Sequence, residues 1–502
     1  MTLEAPLLIV TLPGRTVEEV LEQVTTAQDG GADVAEVRLD RWSAAERARA
    51  PALFPSRLPL MATFRSRAEG GEGPDAPEER TAILQEAVRL PFRWVDLEEA
   101  RDAAIVESFP VDADVVRVLS AHLPEGTSPS DLVRRLRAKA PAGTLRKLVL
   151  PATVGELLQE ILPSLRAAGM GSGVVLTTGP SGALMRAWSM RLRYPFVFAS
   201  LPEIPAAGAA PAVEPSQIPV DRLRYFFDRG DVGALFALVG HPVAHSRSPF
   251  LHSRWMRAAN HPGLYLSLDI VSETEFVESL EPLVAGGFRG LNVTHPWKSS
   301  ALASATRVGR GAEVCGAANC LSFRDDEIEA ENTDLAAVLR RLEELRRSGT
   351  WDGEELAVIG AGGAAAATLA AARELATSAF LVARSPARAT ELARRLGATP
   401  LSRSDARPFS LVVHATDVGR EGTGPLDAPL AELVGPESQV LDWVYSPADP
   451  GVRKVTEAAG GQYEDGWRLL VYQAAASFGI WWGAEPLPDD VDRAIEEGPC
   501  MA

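Results

Sequence analysis

Glu355-Leu356-Ala357-Val358-Ile359 runs straight into Gly360-Ala361-Gly362-Gly363-Ala364, and a long alanine-rich stretch follows. The order reads as a strand, a glycine turn and a helix, a unit whose backbone N–H groups and helix N-terminus face a pyrophosphate. A tight turn could carry the same glycines, so the next strand matters more. Ala379-Phe380-Leu381-Val382-Ala383 ends at Arg384-Ser385, with Arg388 one turn further on. An NAD site places Asp or Glu at this strand end to bind the ribose 2′-hydroxyl, whereas arginines suit a 2′-phosphate. NADP is therefore expected; the bland alternative is a pair of solvated arginines opening a helix.

Upstream lies another α/β pattern, which starts at Leu235-Phe236-Ala237-Leu238-Val239 and runs to about residue 335. It holds four polar motifs. His245-Ser246-Arg247-Ser248-Pro249 reads as an extended segment with two hydroxyls on one side, suited to a carboxylate. Gly290-Leu291-Asn292-Val293-Thr294-His295-Pro296-Trp297-Lys298 ends in a lysine, and Ala317-Ala318-Asn319 and Glu331-Asn332-Thr333-Asp334 add an amide and a carboxylate. Gly466-Trp467-Arg468-Leu469-Leu470 leads to Gln473 on an apolar helix. Lysine is rare in this chain: of 50 basic residues only Lys139, Lys147, Lys298 and Lys454 are lysines. A guanidinium stays protonated, but an amine can lose its proton and act as nucleophile or base, so each lysine stands out against a surface solvated by arginine.

The chain has 502 residues, too many for one core. From residue 7 to about 201, eight short apolar runs alternate with amphipathic stretches: Leu7–Leu12, Val34–Asp40, Leu58–Arg65, Phe92–Glu98, Asp114–His122, Leu145–Ala152, Gly173–Gly179 and Phe196–Leu201. Eight β/α units in about 200 residues point to a closed (β/α)8 barrel with its site at the C-terminal strand ends. An open doubly wound sheet is the alternative. The Pro- and Ala-rich residues 203–219 read as a closing loop, ahead of a short helix and a boundary near 230. In a barrel Glu36, Arg38, Arg65, Asp96, Glu98, His122 and Lys147 would converge. Next to Leu148-Val149-Leu150, Lys147 sits where burial favours the neutral amine, which suits Schiff-base chemistry on an anionic ketone.

With these motifs in order, residues 233–490 closely resemble shikimate dehydrogenase. The resemblance implies a two-lobed α/β unit with a Rossmann NADP-binding lobe. It makes Lys298 and Asp334 the catalytic pair and gives Ser246 and Ser248 the substrate carboxylate. Asn319, Thr333 and Gln473 would hold ring hydroxyls, with Thr294 and Tyr445 beside them. Gly360, Ala361, Gly362, Gly363, Ala364, Arg384, Ser385, Arg388, Thr416 and Gly466 would line the cofactor. Reducing a ketone by hydride needs a proton for the developing alkoxide, and a Lys–Asp pair can position that donor. Two departures stand out: the family's Asn-Ala-Thr segment reads His414-Ala415-Thr416, and Cys320 replaces a usual Thr. Both are expected to touch cofactor-loop packing more than chemistry.

Residues 5–222 resemble type I 3-dehydroquinate dehydratase through Glu36-Val37-Arg38-Leu39-Asp40, Thr63-Phe64-Arg65, Glu69-Gly70-Gly71, Ser120-Ala121-His122 and Lys147. The resemblance implies that Lys147 forms an imine with the substrate and that His122 is the acid/base. Arg65, Arg186 and Gln217 would bind substrate, with Glu36, Arg38 and Glu69 around them. Met185 stands where the family has a serine, Leu123 where it has an aspartate, and Val213 in place of a loop serine, so weaker substrate binding is expected. The two implied reactions are consecutive: 3-dehydroquinate to 3-dehydroshikimate, then reduction to shikimate. The implied domains are 1–222 barrel, 223–232 linker, 233–335 substrate lobe, 336–465 Rossmann lobe, and 466–502 a returning helix and tail.

A net charge of −17 argues against nucleic acid or anionic membrane as partners, and no apolar run approaches the roughly 20 residues of a membrane span. Three cysteines make no disulfide framework, no metal-ligand spacing occurs, and no targeting segment is visible, so a metal-free cytoplasmic enzyme acting on small molecules is expected, and the implied fusion of two enzymes suggests a monomer. A quinate dehydrogenase would carry an acidic residue near 384 and lose one of Ser246 and Ser248. A metabolite-sensing pseudoenzyme would lack one of Lys147, His122, Lys298 or Asp334.

Overall fold

The computed structural model describes residues 5–54, 56–106, 115–169, 173–202, 213–228, 233–419, 430–445 and 451–498. Its chain forms two compact units, residues 1–235 with 261–287 and residues 236–260 with 288–502.

In the first unit, β1 (Leu7–Leu12), β2 (Val34–Arg38), β3 (Leu60–Thr63), β4 (Trp94–Glu98), β5 (Val116–His122), β6 (Thr144–Pro151), β7 (Gly173–Thr178) and β8 (Phe196–Ala199) follow the apolar runs of the sequence. Each pairs in parallel with its predecessor up to β7, and β8 closes onto β1 through Leu7↔Phe196 to Val10↔Ala199. This consecutive order excludes the doubly wound alternative and makes a nearly closed parallel barrel. Both faces of such strands are covered, which is why Leu8, Ile9, Val10, Ala35, Val37, Leu148 and Val174 are all fully buried and the runs are almost continuously apolar. Inward side chains alternate along each strand, so Glu36, Thr63, Asp96, Ser120 and Lys147 share one layer by register: Thr63 partners Asp96, and Ser120 partners Lys147.

The segment 261–287 packs with this unit. Glu275 accepts from the Gly155 N–H at 2.8 Å, and the Trp188 indole donates to the Gly286 carbonyl at 2.8 Å. The helix Val220–Phe227 covers the start of the segment read as a linker; residues 229–232 of that linker, and residues 203–212 of the closing loop, lie outside the described residues.

The second unit begins on β9 (Ala234–Gly240); β10 (Gly263–Asp269) belongs to the segment just described. β11 (Phe288–Val293), β12 (Arg307–Val308), β13 (Cys320–Arg324) and β14 (Glu327–Glu331) lie with β9 in the order β9-β11-β13-β14-β12. β15 (Glu355–Ile359), β16 (Ser378–Val382), β17 (Thr399–Pro400), β18 (Leu411–His414), β19 (Gln439–Asp442) and β20 (Gln462–Glu464) form a parallel sheet in the order β17-β16-β15-β18-β19-β20. The chain runs to one side of β15, then returns and runs to the other, so β15 and β18 flank the switch point where such sheets open a crevice at their carboxyl ends. Small side chains let the helix Gly363–Glu374 lie close on this sheet: Ala365, Ala367, Ala370, Ala371 and Ala372 are fully buried.

Gly360 ends β15 at φ 122, and a Cβ there would stand 2.4 Å from the Ala415 carbonyl oxygen. Gly362, by contrast, has φ −99 and open space around a Cβ. Gly360→Ala is therefore expected to cost about 2 kcal/mol or more in this unit, and Gly362→Ala well under 1 kcal/mol. Denaturant unfolding of the two variants checks this; equal stabilities would contradict it.

Candidate active sites

Lys147 is buried inside the barrel, its ammonium in a salt bridge with Asp96 Oδ2 and 4.5 Å from the centre of the Phe198 ring. Asp96 is held independently of the lysine. Arg65 donates to its Oδ1 at 2.9 Å, and the Ser120 hydroxyl donates to the same oxygen. Burial works against the Asp96 carboxylate, but the charges of Arg65 and Lys147 outweigh it and hold the group below the usual carboxylate range. Burial also pushes the Lys147 amine down from the ordinary lysine value, with Asp96 opposing and Arg65 adding to the shift. Lys147 can thus lose its proton while Arg65 keeps Asp96 ionised.

His122 ends β5 and lies on the same face. Glu69 Oε2 is 2.8 Å from its Nδ1 and accepts from Arg65 at 3.0 Å. Because an ionised carboxylate only accepts, Nδ1 carries the proton and Nε2 is left as the base. Burial, then the positive charges of Arg65 and Lys147, push the imidazole well below its ordinary value, so it is neutral near pH 7. Glu36 accepts from Thr11 and Thr63 at 2.7 Å each, and Gln217 donates to Thr11 at 3.1 Å. Arg38 turns to Asp40 in a two-point pair at 2.8 Å. Arg186 donates to the Thr177 and Gly182 carbonyls and to Ser216 Oγ, next to Gln217. Burial lowers its guanidinium to about 10, and its Nε has no partner among the described residues. No hydrogen bond among the described residues joins Arg186 to the Lys147 group.

In the second unit Lys298, the first residue of the helix Lys298–Ala303, donates to Asp334 Oδ2 at 2.5 Å. Asn332 caps the helix Thr333–Arg347 by accepting from the Leu335 N–H, which fixes Thr333 and Asp334 in the first turn. Asn319 Nδ2 donates to Asp334 Oδ1 at 2.8 Å, and its Oδ1 accepts from the Thr333 N–H at 2.7 Å. Thr333 Oγ1 lies 3.4 Å from Gln473 Oε1 and 3.1 Å from Ser477 Oγ, and Asn292 donates to Ser477 at 2.8 Å. Lys298, Asp334, Asn319, Thr333 and Gln473 therefore form one cluster. Asn292 and Ser477 belong to it too, and were not singled out from the sequence.

Ser246 Oγ and Ser248 Oγ are 3.3 Å apart, as two hydroxyls on one side would be. Their segment is not extended: Arg247 is helical and Ser248 begins the helix Ser248–Ala258, because Pro249 fits the first helical turn. Thr294 packs its methyl against Gly240, and the Tyr445 ring meets Trp467 edge-on at 6.1 Å. Hydrogen bonds among the described residues tie neither the serines, Thr294 nor Tyr445 to the Lys298 cluster.

Gly363, at the start of its helix, places a would-be Cβ 3.4 Å from Lys298 Cδ, so the glycine turn and the lysine adjoin. The open space at Gly362 and this twelve-residue helix N-terminus fit a dinucleotide pyrophosphate. Ala361 and Ala364 flank the two glycines, Thr416 lies across from Gly360, and Gly466 precedes the helix Trp467–Trp482. Ser385 precedes the helix Pro386–Leu396, while Arg384 and Arg388 are exposed and make no ion pair among the described residues. No cluster of three or more His, Cys, Asp or Glu suited to a metal occurs among the described residues, nor a helix long and apolar enough to cross a membrane.

Residues 8–228 match the family model for type I 3-dehydroquinase, and residues 238–321 that for the shikimate dehydrogenase substrate binding domain. Shikimate dehydrogenase (NADP(+)) of Paracoccus denitrificans is 37% identical over 270 residues, covering 52% of this chain and 95% of that protein. The protein of the same name from Acidiphilium cryptum is 38% identical over 261 residues, covering 51% and 93%. The solved structure of dehydroquinate dehydratase and shikimate dehydrogenase from S. pombe AroM is 22% identical, covers 98% of both chains and gives a TM-score of 0.42. The chain belongs to the shikimate dehydrogenase family, and the residues ahead of that part of its sequence match the type I 3-dehydroquinase model.

Proposed function

We propose that one chain catalyses two consecutive steps, dehydrating 3-dehydroquinate to 3-dehydroshikimate in the barrel and reducing the product to shikimate with NADPH in the second unit. The observation that carries this reading is the pair of lysine–carboxylate contacts, Lys147 with Asp96 and Lys298 with Asp334, one in each unit.

In the barrel, the neutral Lys147 amine attacks the substrate ketone, and water leaves as the imine forms. His122 Nε2 takes the proton from the carbon next to the imine, then returns a proton to the departing hydroxyl. The imine draws off the electron density released by that proton, and its hydrolysis frees the lysine. Arg65, Arg186, Gln217, Glu36, Arg38 and Glu69 are proposed to bind substrate or orient these groups. In the second unit NADPH supplies the hydride. Lys298 gives the proton that the new alkoxide needs, with Asp334 and Asn319 fixing its position. Ser246 and Ser248 are proposed to bind the carboxylate, and Asn319, Thr333, Gln473, Thr294 and Tyr445 to surround the ring. Gly360, Ala361, Gly362, Gly363, Ala364, Thr416 and Gly466 would line the dinucleotide, and Arg384, Ser385 and Arg388 would face its 2′-phosphate.

The reading includes the boundaries set out from the sequence, a monomer in the cytoplasm, and no nucleic acid or membrane partner, in keeping with the net charge of −17.

Lys147→Ala is expected to remove dehydration by about 10³-fold or more and leave reduction of added 3-dehydroshikimate intact. Lys298→Ala should do the reverse, by about 10²–10⁴-fold. Borohydride with 3-dehydroquinate should add the ligand mass to wild type and not to Lys147→Ala. Loss of both activities in either variant, with the fold retained, would contradict the assignment.

Because burial lowers His122 below its ordinary 6.5, the neutral base persists as pH falls through that value. Once the imine has formed, the rate of dehydration at pH 6 should then nearly equal that at pH 8, whereas an unshifted imidazole base would lose about fourfold at pH 6. A fall of that size between the two pH values would show an unshifted base.

Arg384→Ala and Arg388→Ala are each expected to raise KM for NADPH about tenfold and leave KM for NADH unchanged, since each removes one charged contact to a 2′-phosphate. Steady-state kinetics with both cofactors decides it; equal effects on the two would place the arginines elsewhere.

A further inference from the structure

His414 ends β18, wholly buried, and faces Asp442 at the end of β19 in the ladder register. Its Nδ1 is 2.8 Å from Asp442 Oδ1. That carboxylate is also buried and accepts from the Val444 N–H at 3.0 Å and from the Tyr463 hydroxyl at 3.0 Å on its other oxygen. An acceptor-only group on Nδ1 puts the ring proton there, which leaves Nε2 as an acceptor in the neutral imidazole. Thr416 Oγ1 lies 2.6 Å from Nε2 and also accepts from the Val418 N–H at 3.2 Å. The hydroxyl proton and one lone pair of Thr416 are thus committed, and one lone pair remains.

Thr416 stands at the switch point. A Cβ on Gly360 would lie 3.2 Å from its Cγ2, so the threonine borders the glycine turn that opens the helix Gly363–Glu374. A threonine without a fixed proton could donate or accept; here two buried side chains on β18 and β19, backed by the half-buried Tyr463 on β20, choose for it.

We propose that Tyr463, Asp442 and His414 form a relay that fixes Thr416 as a hydrogen-bond acceptor for an N–H or O–H group of the bound dinucleotide. His414 is a positioning residue in this scheme, acting through Thr416. The proposal rests on the reading of this lobe as an NADP site, and the two fail differently.

The test is NADPH binding to the full-length chain without substrate at pH 8, where imidazole is ordinarily neutral, read by energy transfer from tryptophan to the nicotinamide. His414→Phe and Thr416→Val are each expected to raise Kd about tenfold, and the double variant no more than either alone, since both break one chain of contacts. Thr416→Ser, which keeps the hydroxyl, should bind like wild type. For His414→Phe, KM for NADPH should rise, with kcat and KM for 3-dehydroshikimate unchanged. Wild-type Kd in the variants, whatever their melting temperature, or additive losses in the double variant, would overturn the relay. If His414→Phe does not fold, Thr416→Val against Thr416→Ser decides alone: equal Kd values overturn it. Failure of wild type to bind NADPH would instead remove the NADP reading, and the relay with it.

Discussion

A lysine taken out of water must either be held against a carboxylate or give up its proton, and both proposed sites are built on that choice. The two resolve it differently. Lys147 is nearly fully enclosed, with a side chain 5% exposed, and it shares Asp96 with Arg65; the arginine lets the carboxylate stay charged when the amine is neutral. Lys298 keeps 23% of its side chain exposed and meets Asp334 through a single oxygen, the other being held by Asn319. The first arrangement favours an amine ready to attack a carbonyl. The second holds the lysine head group in place to deliver a proton.

Parallel strands position both constellations. In the barrel, a two-residue period sends Glu36, Asp96, Ser120 and Lys147 inward from neighbouring strands; the base, His122, ends β5, and the nucleophile, Lys147, sits midway along β6. In the second unit, the split of the strand order at β15 and β18 opens the crevice beside which Gly363 and Lys298 meet. Gly360 is the backbone cost of that crevice, a left-handed turn pressed against the Ala415 carbonyl.

Much of this was legible in the residues. Runs of Val, Ile and Leu marked all eight barrel strands to within a few positions, because strands buried on both faces are apolar throughout. Lysine scarcity drew attention to Lys147 and Lys298. What a linear reading could not supply was partnership across long separations. Asp96 stood among the strand-end residues, yet its contact with Lys147, 51 residues away, needed the barrel to close. Ser477 carries no signal in the linear sequence. The two-hydroxyl spacing of Ser246 and Ser248 suggests an extended segment, whereas Pro249 carries the signal for the helix that starts there. His414 has its partner Asp442 on the adjacent strand, which the residues around it do not reveal.

On the proposed function, the chain itself makes the substrate it reduces. Purified full-length protein, given only 3-dehydroquinate and NADPH, tests it through NADPH absorbance and proton NMR of the product. A lag followed by steady NADPH oxidation is expected, with shikimate formed in equal amount. Reduction of added 3-dehydroshikimate without any turnover of 3-dehydroquinate would contradict it.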